Sequence, residues 1–502
     1  MDTLNLFLNG LVASLQPSNL LFAFIGSVIG TLVGVLPGVG PVAGIAILLP
    51  LTYGMTPEGA LIMLAAIYYG TMYGGTITSV LMNVPGESAS VVTAIDGYQM
   101  ARQGRAGVAL SVAAIGSFIG GTFSTLGIIV LAAPLTRFAI NFGPPEFFAI
   151  VLVGFALLVT LAGDSVIKGI ISSVFGLALT LPGLDPLTGV PRLTFGFPDL
   201  LDGFGFIPIL MGLFGISEIL LNVESKQQSL LSAPLSSMFL TKQDIKESFG
   251  PVVRGSVLGF IIGVIPGLGA ATSSFIAYAL EKRIARDPSR FGRGAIAGVA
   301  GPETANNASA NAALLPLLTL GIPGSATVAL IMGAFLIHGI TPGPFLFQEH
   351  SQLVWTLIAS MVVGNVILLI LNLPLVGLWA RILLLPYPLL FTIILVFTII
   401  GTYSVNNSLF DVAVMLVFSV VGYILRKLNF PLAPIALTLV LGPQFETSLG
   451  QSLVLSDGNF NIFFRSYVST GLVIVAFLAI VLPMLGPVTR RLRRMRGQDS
   501  EV

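Results

Sequence analysis

Polar side chains that could bind an ion or a carboxylate occur at two matching places in a strongly apolar sequence. Both places carry a Pro-Gly pair, "NVPGESAS" (83–90) and "GIPGSAT" (321–327), and hydroxyl groups follow each pair. Glu87 directly follows the first pair. Because a carboxylate in an apolar segment is costly unless it functions, one interpretation is that Glu87 is a cation ligand or a proton carrier. The alternative is a first-turn glutamate that complements a helix dipole.

A third polar stretch, "GPETANNASAN" (301–311), places amide, hydroxyl and carboxyl groups between apolar segments. This is more amide oxygen than packing requires, so we favour a ligand role over that of a plain loop. The predicted ion-coupling residues of these stretches are Asn83, Glu87, Glu303, Asn306 and Asn311.

The elements that would position these groups are interrupted by two further Pro-Gly pairs, in "GVLPGVG" (34–40) and "GVIPGLG" (263–269). Proline removes a backbone donor, and glycine permits angles that a helix forbids. From Gly26 to Leu36 the chain covers about 11 residues, or roughly half a bilayer. This favours a re-entrant hairpin; a kinked but continuous helix is the alternative.

Free amides and carbonyls at such breaks become ligands for anions and for cations such as Na⁺. We therefore predict Na⁺ sites at the tips of the two hairpins and a substrate site around all four breaks. The predicted substrate-binding residues are Pro37, Gly38, Gly40, Pro85, Gly86, Ser88, Pro266, Gly267, Gly269, Asn307, Pro323, Gly324 and Ser325.

The first break belongs to an internal repeat. "GSVIGTLVGVLPGVG" (26–40) recurs as "GSVLGFIIGVIPGLG" (255–269), identical at nine of fifteen positions, and each copy is followed by its own second Pro-Gly pair. The glycines spaced four residues apart in each copy predict close helix packing. Because the breaks are duplicated, they are features of the fold.

Basic residues in the loops predict opposite orientations for the two halves. The loop 281–294 is rich in Lys and Arg, whereas its first-half counterpart 52–59 has neither; after the second breaks, 97–107 is basic and 338–345 is not. Since Lys- and Arg-rich loops stay in the cytoplasm, corresponding loops face opposite sides of a membrane. This pattern is typical of the inverted repeats of secondary transporters.

The amino-acid composition indicates a membrane protein. The 502 residues are 55% apolar and 9% charged, against about a quarter charged in soluble domains. We expect an all-α polytopic membrane protein of two inverted repeats with re-entrant hairpins, broken helices and about 10–12 spanning segments. The predicted divisions are a first repeat unit (1–221), a polar linker (222–250), the core of the second repeat (251–350), remaining helices (351–489) and a cytoplasmic basic tail (490–502).

Several functions are disfavoured. A net charge of +1 gives no reason to expect nucleic acid, and two His with no Cys leave most metal and nucleophile chemistry without its groups. We expect no catalytic residues, no enzyme activity and no cofactor except a coupling cation, Na⁺ or H⁺. A channel or a membrane scaffold subunit is the alternative to a coupled transporter.

The repeated G-x-[IL]-P-G-x-G element, together with the stretches 68–107 and 301–335, resembles the large membrane subunit of the tripartite tricarboxylate transporters, the TctA family. The resemblance implies a permease of the bacterial inner membrane that imports a di- or tricarboxylate with a cation. It also implies two partners, a small membrane subunit of about four helices and a periplasmic solute-binding receptor, and it is compatible with a homodimer.

Overall fold

The computed structural model describes residues 3–36, 39–161, 165–186, 188–224, 238–382 and 387–495. These residues are almost entirely helical, which confirms the predicted all-α class. The helices are α1 (Thr3–Ser14), α2 (Pro17–Val35), α3 (Gly40–Leu48), α4 (Pro57–Met82), α5 (Val91–Arg102), α6 (Ala106–Ala139), α7 (Pro144–Leu161), α8 (Val166–Leu179), α9 (Phe206–Leu210), α10 (Ser217–Glu224), α11 (Lys242–Val264), α12 (Gly269–Ile284), α13 (Ala297–Ala312), α14 (Leu314–Leu320), α15 (Ala326–Ile337), α16 (Leu346–Glu349), α17 (Ser351–Asn372), α18 (Val376–Ile382), α19 (Tyr387–Asn406), α20 (Leu409–Lys427), α21 (Ala433–Leu455) and α22 (Tyr467–Met495).

Within the described ranges, six helices are long and apolar enough to cross a membrane: α2, α4, α6, α11, α17 and α20. Seven shorter apolar helical segments accompany them. A polytopic membrane protein is therefore confirmed, and the number of 10–12 spanning segments stays a prediction.

Helix boundaries follow local sequence signals. Thr56 accepts a hydrogen bond from the N–H of Gly59 at 3.2 Å and caps α4, with proline at the first helical position. Thr241 and Asp244 form a reciprocal capping box that starts α11. Since α11 begins at Lys242, the last residues of the predicted 222–250 linker are helical.

The chain forms two compact units that do not follow its sequence halves. The first unit comprises 1–140 and 207–423, and the second comprises 141–206 and 424–502. The predicted site residues that the structure describes belong to the first unit, and the division into repeats predicted from the sequence stays a prediction.

In the second unit, α7 packs against α21 and α22, and α8 packs against α21. A short antiparallel ribbon pairs β1 (Gly183–Leu184) with β2 (Pro191–Arg192). The guanidinium of Arg192 forms ion pairs with Asp185 and Glu446 and so ties the ribbon to α21.

In the first unit, α2 packs along the buried helix α4, and α11 packs along the buried helix α13. Glycines make these approaches close. A Cβ on Gly30 would lie 2.4 Å from the carbonyl oxygen of Ile67, and one on Gly259 would lie 2.4 Å from that of Ala305. The close helix packing expected from the repeated glycines is confirmed.

The two halves also exchange contacts reciprocally. Helix α3, after the first break of the first half, packs against α15, after the second break of the second half. Conversely, α12 packs against the turn Ser88–Ser90 and α5. Helix α6 packs on α11 and α13, as α17 packs on α2 and α4. Such an exchange is what two related halves would produce; their inversion in a membrane stays a prediction.

Loops that are predicted to face the same side of the membrane contact each other. Gln103 donates to the carbonyl of Arg293 at 2.8 Å, so the two basic loops meet. The side chain of His338 contacts the backbone of Thr52, so the two loops without Lys or Arg meet. Burial lowers the pKa of His338.

Candidate functional site

The first Pro-Gly breaks end one helix and start another in the same way in both halves. Leu36 and Ile265 are extended, with φ/ψ of −82°/112° and −84°/113°. Gly40 and Gly269 then begin α3 and α12 with φ of +62° and +66°, angles that favour glycine. Pro37 and Gly38 lie outside the described residues. The matching angles confirm broken helices at both predicted places.

The chain reverses at the first break, because α3 packs back on α2: a Cβ on Gly44 would lie 2.7 Å from a methyl of Val33. The first arm is longer than expected. Helix α2 has 19 residues because it begins at Pro17, a favoured first position. At 1.5 Å per residue this is roughly 28 Å, so the expectation of a half-bilayer arm is wrong.

The second breaks also match. Asn83 and Gly321 end their helices in the left-handed region, with φ of 57° and 73°. Glu87 and Ser325 follow in extended conformations, with φ/ψ of −149°/169° and −156°/168°, and each caps the next helical turn. The helix-terminal conformation explains Asn83 without a ligand, and its predicted ion role stays untested.

In each half the two breaks touch. The N–H of Gly267 donates to the carbonyl of Gly324 at 2.9 Å. In the first half a Cβ on Gly86 would lie 2.1 Å from the carbonyl oxygen of Gly34. Backbone therefore meets backbone at these predicted substrate-binding glycines, and their flanking Pro85, Pro266 and Pro323 lie in the same turns.

A cluster of buried polar groups, which we call the acidic centre, joins the halves beside the second break. It consists of Glu87, Glu303, Asn306, Thr76 and Thr93. Both hydroxyls donate to the Glu303 carboxyl, that of Thr76 at 2.7 Å. The amide nitrogen of Asn306 donates to Oε1 of Glu87 at 3.2 Å. Glu87 comes from the first half, and Glu303 and Asn306 come from α13 in the second.

The backbone is shaped to admit this centre. A Cβ on Gly75 would lie 2.9 Å from Cγ of Glu87, so this glycine lets the glutamate reach α4. The other carboxyl oxygen of Glu87 accepts the N–H of Ala89 at 2.7 Å. Glu87 is 6% exposed and Glu303 is fully buried.

Every described hydrogen-bond donor to these two carboxyls is neutral. The ion pairs found in the described part of the chain involve other residues. Oδ1 of Asn306, by contrast, has no protein hydrogen-bond partner among the described residues, although the residue is fully buried. An unpaired buried acceptor costs about 1–3 kcal/mol, so the acidic centre is incomplete as it stands.

The remaining predicted residues are separated from this centre or explained by packing. Asn307 donates to Oγ of Ser117 at 2.7 Å, and Asn311 donates to the carbonyl of Gly121 at 3.0 Å. Both bonds fasten α13 to α6, and the ligand roles predicted for the two residues stay untested. Ser88 is exposed beside the turn that Glu87 caps.

Sequence reasoning missed Thr76, Thr93 and Tyr68. The Tyr68 side chain is fully buried and hydrogen-bonds Ser325 after the second break of the other half. All three lie in the polar-spotted stretch 68–107, yet single hydroxyls in an apolar helix give no signal of their own. Their partners are more than two hundred residues away in the chain.

Comparison with known proteins agrees with the motifs. Residues 20–437 match the tripartite tricarboxylate transporter TctA family. An Agrobacterium vitis protein described as an uncharacterized 52.8 kDa protein in the TAR-I ttuC' 3' region is 45% identical over 486 residues, 97% of each chain. A second A. vitis protein, from the TAR-II ttuC' 3' region, is 44% identical over 242 residues, covering 48% of this chain and all of its own. No solved structure matches the chain.

A match of this extent, on a chain whose breaks and polar stretches are those that carry the family's motifs, settles its membership: the protein belongs to the TctA family of tripartite tricarboxylate transporters.

Proposed function

We propose that this protein is the permease subunit of a receptor-dependent importer that carries a di- or tricarboxylate across the bacterial inner membrane together with a cation. The observation that carries the proposal is the matched pair of broken helices in each half, together with the acidic centre, in which Glu87 at a break of the first half meets α13 of the second half. Paired interrupted helices of this kind form substrate and ion sites in secondary transporters.

Anion recognition would depend on backbone amides. The described donors around the breaks are peptide N–H groups and hydroxyls, and helices α3, α12 and α15 all begin there. Helix N-termini attract carboxylates because their amides are unpaired and the helix dipole is positive at that end. Gly40 and Gly269 suit this role, since among the described residues outside their own helices and chain neighbours no atom lies within 4 Å of where their Cβ would be.

Energetics favour coupling to a cation. Each negative charge that enters a cell works against about 2.3 kcal/mol per 100 mV of inside-negative potential. A receptor that only concentrates substrate outside cannot supply this energy in every cycle. Cotransported cations must at least neutralise the carboxylate, and the two glutamates of the acidic centre are suited to hold one.

Alternating access would come from relative movement of the two halves, which contact each other reciprocally. The proposed assembly includes the small membrane subunit and the periplasmic receptor that the family implies. The C-terminus would face the cytoplasm, because the basic residues that end the chain follow the positive-inside pattern.

The test is uptake of labelled di- and tricarboxylates by proteoliposomes that contain this chain and its small subunit, with and without the receptor. We expect uptake that needs the receptor and an imposed Na⁺ or proton gradient. Glu247→Gln, which alters a partly exposed ion pair, is the matched control and should transport normally. Receptor-independent flux that only follows the gradient of the substrate would overturn the proposal in favour of a channel.

A further inference from the structure

We propose that Glu87 and Asn306, supported by Glu303, form a Na⁺ site between the two halves of the protein. The site itself stands on the geometry of the acidic centre; its role in driving uptake rests on the proposed function. It lies at the second break of the first half and not at the predicted hairpin tips.

The acidic centre contains two buried carboxyls and no basic partner among the described residues. Two buried carboxyls are linked through one amide, since Asn306 hydrogen-bonds Glu87 at 3.2 Å and also interacts with Glu303. Isolated ionised carboxylates are expensive in a dry interior. Hydroxyl and amide donors stabilise them but bring no positive charge, and no Lys, Arg or His pairs with either carboxyl in the described ranges.

Asn306 also contributes an oxygen that could bind a cation. The same amide group that donates to Glu87 carries Oδ1, a fully buried oxygen with no protein partner among the described residues. One turn further along α13, Oγ of Ser309 is also buried without a partner there. A carboxamide whose nitrogen bonds a carboxyl group and whose oxygen is unpaired offers that oxygen as a ligand for a cation.

The chemistry of the candidate ligands indicates which kind of cation they would bind. All candidate ligands are oxygens of carboxylate, amide or hydroxyl groups, which hard cations prefer. No group of three or more His, Cys, Asp or Glu that could hold a metal occurs among the described residues. This disfavours transition metals and suits a monovalent ion that needs few charged ligands. Thr76 and Thr93 would hold Glu303 as the second carboxylate through charge-assisted hydrogen bonds.

The position of the acidic centre between the two halves suits an ion that couples their movements. A cavity of about 10 Å³, on the order of one water molecule, lies between α4 and α6 and is lined by Thr76 and Ser117. Thr76 also donates to Glu303, whereas Glu87, Glu303 and Asn306 do not line this cavity. Because Glu87 and Asn306 belong to different halves, a bound Na⁺ would stabilise the arrangement in which the halves meet.

The test uses the purified full-length chain in detergent and Na⁺ alone as ligand. Thermal unfolding is compared in NaCl and in choline chloride of equal ionic strength, and ²²Na⁺ binding is measured directly. For the wild type we expect Na⁺ to raise Tm by roughly 1–3 °C. Glu87→Gln and Asn306→Ala should remove both this shift and the ²²Na⁺ binding.

The stability of Glu87→Gln in the absence of Na⁺ distinguishes a cation site from a purely structural role of Glu87. In choline, Glu87→Gln should be at least as stable as the wild type, because it replaces one of two buried carboxyls by a neutral amide. A purely structural Glu87 would make the variant less stable in both salts. Glu281→Gln is the matched control, since Glu281 is also buried but pairs with Arg254 at 2.6 Å; its Na⁺ shift should persist.

Absence of Na⁺ binding to the wild type, or unchanged binding to Glu87→Gln and Asn306→Ala, would overturn the inference. If receptor-dependent uptake driven by protons alone is then observed, the inference fails and the proposed function stands. If Na⁺ binds as expected but no carboxylate is transported, the site stands and the proposed function fails. Should Glu87→Gln not fold, Asn306→Ala alone decides, because it leaves both carboxyls in place.

Discussion

Two buried acidic regions of this protein differ in how completely they are satisfied. Asp96 on α5 is fully buried, and its Oδ1 accepts the N–H groups of Gly292, Gly294 and Ala295 at 2.9, 2.8 and 2.8 Å. The hydroxyl of Tyr278 donates to its Oδ2 at 2.9 Å. This single carboxylate therefore has four donors and fastens the second basic loop to the first half.

The acidic centre shares a few neutral donors between two carboxyls. Glu87 and Glu303 each accept from two neutral groups, and an unpaired amide oxygen lies on the residue that links them. Burial is common to both regions, so burial alone does not mark a functional carboxylate. The difference supports our proposals that Asp96 acts in folding and that the acidic centre acts in binding.

The largest effect on stability is expected from Asp96→Ala. The change leaves three backbone N–H groups without their acceptor, at about 1–3 kcal/mol each if they stay buried. We expect low membrane yield and a Tm many degrees below that of the wild type, measured by thermal unfolding in detergent. An Asp96→Ala protein with the stability of the wild type would remove the distinction between the two regions.

A smaller loss is expected from Gly267→Leu. Gly267 has φ of +90° and donates to Gly324, and a side chain there costs roughly 1–2 kcal/mol in the left-handed region. We expect an inserted protein that no longer transports, because the strain falls on a break that we propose forms part of the substrate site. The control is Gly364→Leu, at a helical glycine with open space around it. Normal uptake by Gly267→Leu would reduce this glycine to a packing role.

The smallest effect is expected from Glu247→Gln. Arg290 and Glu247 form an ion pair at 3.2 Å with side chains 52% and 29% exposed, and such pairs contribute less than about 1 kcal/mol. Tm and its response to Na⁺ should both match the wild type. A large loss of stability would mean that the basic loops depend on surface charge and not on Asp96.

The pairing of loops can be tested by labelling, since the chain has no Cys. Gly54→Cys and Phe345→Cys should react with an impermeant thiol reagent from the periplasm. Arg102→Cys and Ser289→Cys should react only after the membrane is opened. Labelling of Gly54→Cys and Ser289→Cys from the same side would disprove the inverted arrangement on which the proposed alternating access depends.

The sequence predicted much of this molecule because its strongest signals are local. Proline and glycine interrupt the helices at 36–40 and 265–269 whatever the tertiary contacts are. Long apolar runs likewise predict the helical class. The glutamates were predicted for the same reason, since a carboxyl group in an apolar stretch is conspicuous.

Long-range partners could not be predicted. Nothing in the chain order indicates that Thr93 donates to Glu303, or that Asp96 reaches the loop at Gly292, because these contacts arise only when the halves pack. Asp96 itself follows no motif and was not identified. The length of α2 was missed because the helix extends beyond the repeated segment to Pro17.

The central claim is that the acidic centre couples a cation to carboxylate import. The most direct measurement is receptor-dependent uptake by proteoliposomes with an imposed Na⁺ gradient, for the wild type and Glu87→Gln side by side. We predict accumulation above equilibrium for the wild type and none for the variant, although the variant is folded. Full-rate uptake by the wild type with every cation gradient collapsed, or Na⁺-driven accumulation by Glu87→Gln equal to the wild type, would contradict the account.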